Sequence, residues 1–99
     1  MIELTQLLKS LDQEVESMSF SETIRHARDT LGLRQYKVAI HLGISPGRLK
    51  NLETGYFRVM PRDEEIGKLS AYYHLSRGML EEKAEKHVRA RRRTLALDG

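Results

Sequence analysis

Arg48, Lys50 and Asn51 stand within one helical turn, in the run Ile44-Ser45-Pro46-Gly47-Arg48-Leu49-Lys50-Asn51-Leu52-Glu53. Arginine and lysine donate to the acceptor edge of guanine, and an asparagine amide pairs with adenine, so the trio has the chemistry to read base edges. Ser45 is a natural N-cap and Pro46 a natural first helical residue. Gly47 follows them, although glycine inside a helix costs about 1 kcal/mol relative to alanine. Leu49 and Leu52 face inward. A helix that opens bare and then turns basic lets its backbone, at Gly47, approach a surface closely and leaves discrimination to Arg48, Lys50 and Asn51. Standing alone, Arg48 and Lys50 would read equally well as solvated residues on an exposed face, so their surroundings decide.

The charge around them is lopsided. Residues 34–62 carry Arg34, Lys37, Arg48, Lys50, Arg58 and Arg62 against the single acid Glu53. Residues 1–18 hold four acids against one lysine, and Arg89, Arg91, Arg92 and Arg93 give residues 81–99 a basic excess. The formal net charge of +3 is thus concentrated around the motif and near the C-terminus, the footprint of a polyanion-binding surface.

The elements that must position these residues all read as helices. Leu4, Leu8, Leu11, Val15 and Met18 form an amphipathic stripe over residues 2–18. A second helix starts at Ser21, turns Ile24, Ala27, the Arg28 stem and Leu31 inward, and stops at Gly32. Gln35 to Leu42 is a third, Ser45 to Thr54 a fourth. Pro61 begins a fifth, whose early acids Asp63, Glu64 and Glu65 favour the positive end of the helix dipole. Arg77 to about Arg93 is the last, with Leu80, Ala84 and Val88 along it, and Thr94 to Gly99 read as a disordered end. No strand pattern or internal repeat is present.

Gln35–Leu42, the turn Gly43-Ile44-Ser45 and the helix from Pro46 make a helix-turn-helix. Ala39 is small where two helices cross, Gly43 stands where the turn needs a positive φ, and Val38, Leu42, Ile44, Leu49 and Leu52 supply the shared apolar contact. Through "IRHARDTLGLRQYKVAIHLGIS", "LKNLETG" and "PRDEEIGKLSAYYHLSRGML", residues 20–80 resemble the lambda-repressor-like, Cro/Xre-type helix-turn-helix family. The resemblance implies a recognition helix lying in the major groove, with its N-terminal part at the bases. It implies a phosphate contact for Gln35 and for Thr54, and base reading for Asn51. Tyr36, Lys37, Ser45, Tyr56, Arg58 and Arg62 join the expected phosphate contacts; Phe57 or Val59 could instead cap the core. Two departures stand out. Arg34 replaces the usual Ser or Thr cap, and Pro46 and Gly47 occupy the positions whose side chains most often read bases.

The expected fold is all-α: a compact five-helix lambda-repressor-like domain over residues 19–80, an extra N-terminal amphipathic helix over 1–18, and a basic C-terminal helix and tail over 81–99. The expected function is a transcriptional regulator, a repressor of bacterial or phage type, binding a palindromic double-stranded DNA operator as a homodimer. Leu4, Leu8, Leu11 and Val15, with Leu80, Ala84 and Val88, are the candidate dimer interface, the last helix as its main seam. A toxin is a possible protein partner, since an antitoxin repressing its own operon would use the same domain; a protein-interaction module without DNA binding is a further alternative. No catalytic or metal-binding constellation is found among the four histidines and the carboxylates, so neither an enzyme nor a cofactor is expected. Absence of cysteine excludes disulfides and thiol chemistry, and no apolar run approaches the roughly 20 residues of a membrane span, so a cytoplasmic, nucleoid-associated protein without a membrane partner is expected.

Overall fold

Apolar residues recurring every three or four positions fold here as helices, with a serine side chain capping the start of some and not of others. The computed structural model describes residues 15–98. Among them are five helices: α1 Phe20–Thr30, α2 Gln35–Leu42, α3 Pro46–Thr54, α4 Asp63–Tyr73 and α5 Arg77–Asp98. No strand occurs among the described residues, and no helix there is long and apolar enough to cross a membrane.

Three boundaries differ from the sequence reading, each for a local reason. Ser19, rather than Ser21, caps α1, its Oγ accepting from the Glu22 amide at 3.2 Å, while Ser21 is buried inside the helix. Pro61 lies two residues ahead of α4; Arg62 holds the N-cap position, and Glu65 Oε1 accepts from its backbone N–H at 2.9 Å. The last helix continues past Arg93 to Asp98, through the good helix formers Leu95, Ala96 and Leu97, and Thr94 Oγ1 donates back to Ala90 O at 3.0 Å.

One core holds the helices together. Phe20, Ile24 and Ala27 of α1, Val38, Ala39 and Leu42 of α2, Leu49 and Leu52 of α3, Ile66, Leu69 and Tyr73 of α4, and Leu80, Ala84 and Val88 of α5 are buried in a single cluster with Phe57 and Leu75. Phe57 meets the Phe20 ring edge-on, and the His87 ring stacks on it at 4.1 Å, whereas Val59 is exposed. This core corrects one sequence expectation: Leu80, Ala84 and Val88 are the buried inner face of α5, packed within their own chain rather than exposed to a partner. α5 runs through residue 80, and its residues up to Val88 belong to the same core.

Of the N-terminal stripe, Leu4, Leu8 and Leu11 lie outside the described residues. Val15 is fully buried within its own chain and so is not an exposed interface residue. Its carbonyl accepts from Lys83 Nζ at 2.8 Å, and the same ammonium donates to the Glu16 and Met18 carbonyls. Burial lowers the Lys83 pKa, the charge of Lys86 adding to the effect.

Candidate nucleic-acid interface

The turn between α2 and α3 depends on a residue free to take positive φ. Gly43 has φ 70°, and the Ile44 amide returns to Ala39 O at 3.0 Å. Ala39, fully buried, lets the two helices come together. Lys68 of α4 donates Nζ to Leu42 O at 3.0 Å, placing a positive charge at the negative end of α2. The start of α3 is built as its sequence suggests: Ser45 Oγ accepts from the Arg48 amide at 3.0 Å, and Pro46 is the first helical residue.

Burial divides α3 cleanly. Leu49, Leu52 and Glu53 face the core, while Pro46, Gly47, Lys50, Asn51 and Thr54 are exposed. Beside Gly47 lies open space: a Cβ there would meet no atom of the surrounding structure within 4 Å. Arg34, Lys37, Arg58 and Arg62 are exposed too, so basic charge brackets the helix from the start of α2 and from the α3–α4 loop. Arg34 occupies the N-cap of α2 with no side-chain hydrogen bond. Tyr36 and Tyr56 are exposed, and the Arg91 guanidinium lies 5.2 Å from the Tyr56 ring centroid. Through that contact, the arginine-rich part of α5 comes beside the end of α3.

Besides Ser45, three expected contact residues are already engaged within the protein. The Gln35 amide donates to Glu53 Oε1 at 3.2 Å, and Thr54 Oγ1 donates to Lys50 O at 2.8 Å. Arg48, expected at the base edges, instead grips Glu65 of α4: Nε donates to Oε2 and Nη2 to Oε1, each at 2.9 Å. This hydrogen-bonded pairing raises the Arg48 pKa and, aided by the Arg62 amide, holds the Glu65 carboxyl below the usual carboxylate range against the opposing effect of burial. Free of such bonds, the Lys50 and Asn51 side chains remain presented to solvent.

A second ion pair holds the other end of α3. Glu53, 3% exposed, receives Arg28 Nε at 2.8 Å and Nη2 at 2.9 Å, while Arg28 Nη1 donates to Leu33 O at 2.9 Å. The hydrogen bonds to Glu53 raise the Arg28 pKa. Glu53 thereby ties α3 to α1 and, through Gln35, to α2. Thus α3 is clamped at its first turn to α4 and at its last turn to α1. The sequence turns the Arg28 stem inward but points to no partner for it, and it marks Glu65 only as capping charge. A Glu three positions after an N-cap signals the capping role; no spacing rule gives the pairing with Arg48, seventeen residues away.

Among the described residues, no group of histidines and carboxylates could hold a metal ion. A family model described as helix-turn-helix matches residues 24–80, the span from α1 to the start of α5. No curated protein and no solved structure matches the chain.

Proposed function

The chain belongs to the Cro/C1-type, Xre-like helix-turn-helix family of DNA-binding transcription regulators, and from that premise we propose that it is a repressor binding a palindromic operator as a homodimer. The observation that carries the reading is the exposed face of α3, where Gly47, Lys50 and Asn51 present a bare backbone, a cation and an amide between exposed cations on either side. In this reading α3 lies in the major groove. Asn51 and Lys50 contact base edges, Gly47 lets the backbone approach, and Lys37, Arg58 and Arg62, with Tyr36, Tyr56, Ser45, Thr54 and Gln35 around them, neighbour the phosphates. Gln35 would exchange or share its bond to Glu53 in doing so.

The dimer follows from reading length. One recognition helix spans about four to six base pairs, too few to single out an operator among genomic competitors. Two helices related by a dyad, about 34 Å apart or a multiple of that, double the site and make it palindromic. Leu4, Leu8 and Leu11 remain the candidates for the seam.

Selection from random duplexes, followed by light scattering of the chain alone and on the enriched duplex, tests this. An enriched palindrome bound by two chains is the expected result. Enrichment of no sequence, or one chain per site at saturating concentration, would overturn it.

A further inference from the structure

We propose that Glu65 sets the protein's base preference without touching DNA, by holding Arg48 out of the groove. This rests on the DNA-binding reading and names a specificity-determining residue that reading does not contain. Arg48 is the sole arginine of α3 and lies in its first turn, where a free guanidinium would make the commonest specific contact to guanine. Its Nε–H and one Nη2–H are instead committed to the two carboxylate oxygens of Glu65 in the parallel two-bond geometry that suits arginine best. The carboxylate is itself fixed. Its side chain is 7% exposed, against 33% for Arg48, and Oε1 also accepts from the Arg62 amide. Swinging Arg48 toward a base would leave a nearly buried carboxylate without its cation, a strongly unfavourable state.

Arg48 and Glu65 also line one cleft with Ser45, Arg62 and Lys68. Lys68 is occupied by Glu64 and Leu42 O, and Arg62, whose charge also acts on Glu65, bonds it only through its backbone N–H, so Arg48 alone supplies the two-bond geometry. With Arg48 withheld, the groove-facing edge of α3 is left to Lys50 and Asn51. Glu65 therefore acts as a positioning residue that subtracts a guanine reader.

Replacing the carboxylate with an amide tests the arrangement. Glu65→Gln keeps an oxygen for the Arg62 amide, so the start of α4 survives, while the charge that retains Arg48 is lost. The arginine charge that Glu65 no longer neutralises should displace one counterion from the DNA and steepen the salt dependence of binding by about 0.9 in log–log slope, so the affinity gain grows about 3.5-fold between 200 and 50 mM salt. Random-duplex selection should add a guanine preference at one position per half-site. Arg48→Met/Glu65→Gln should abolish both gains. In the wild-type protein, the Arg48 Nε–H resonance should keep its frequency when the selected duplex is added, a readout that needs no variant to fold.

A wild-type chain that binds DNA, with a Glu65→Gln slope and preference unchanged, overturns the latch alone. So does a wild-type Arg48 resonance that shifts on binding a guanine-containing site. A wild-type chain that binds no duplex overturns the DNA-binding reading as well.

Discussion

Asn51 and Lys37 differ in what their loss would do, although both are polar and exposed. Asn51 is exposed on α3 beyond Gly47, and in the DNA-binding reading Asn51→Ala should weaken binding by about 1–3 kcal/mol and relax preference at one base position. Lys37, on α2, should act on all sequences alike: Lys37→Ala lowers affinity uniformly and flattens the salt slope by about one. Parallel selections and salt titrations separate the two. Glu65 gives a prediction in a different variable. Its folded-state pKa is lowered, so the unfolded chain takes up a proton first as acid is added. The stability it contributes is therefore complete above its ordinary value of 4.5 and is lost as pH falls through the lower folded value. Melting wild type and Glu65→Gln from neutral pH to about pH 3 should show the gap between them closing in acid. A gap that persists there would mean that the ion pair does not carry the difference.

At the scale of the element, α3 is a nine-residue helix with little apolar surface of its own, held by what flanks it. Its register is legible in the sequence. Gly43, Ala39, Ser45 and Pro46 each suit a single role, and the leucines at 49 and 52 fix the buried face. Its clamps are not legible there, because hydrophobic spacing reports which way a residue faces and says nothing of what stands opposite. Arg28 and Glu53 are twenty-five residues apart, and only the packing of α1 on α3 brings them together. Arg28→Leu should expose that dependence. It leaves the Glu53 carboxylate buried and unpaired, which costs about 3–5 kcal/mol. Chemical denaturation of the variant should show the midpoint fall accordingly, while Arg28→Leu/Glu53→Leu should recover part of the loss. A single variant as stable as wild type would show that Glu53 finds another partner.

For the whole molecule, the limit of sequence reasoning lies in α5. Leu80, Ala84 and Val88 make an apolar stripe that fits a partner helix or the protein's own core equally well, and only the assembled fold tells which. The stripe ends at Val88, yet the helix continues through residues 89–98 with Arg89, Arg92 and Arg93 exposed and Arg91 resting on Tyr56. Stability and charge are thus divided along one helix, packing in its first half and cations in its second. Truncation after Val88 should accordingly change the melting temperature little and lower DNA affinity at low salt without altering sequence preference. Calorimetry and binding titrations on the shortened chain check the two halves of that expectation separately. A large loss of stability would assign the Arg91–Tyr56 contact to the fold instead.

The open space beside Gly47 bears on how such a regulator can change over generations. A Cβ added there collides with nothing, and the backbone is ordinary helix, so the position has room for alanine. Gly47→Ala should therefore stabilise the free protein by about 0.4–1 kcal/mol, raising its melting point by a few degrees, while weakening its hold on DNA by propping the backbone away from it. Calorimetry with a binding titration would show both, and an alanine variant that binds as tightly as wild type would deny the close approach. In the DNA-binding reading, a substitution at this codon changes what α3 presents to the bases without first having to survive a damaged fold. The start of α3 is then a place from which a regulator's set of target genes can drift.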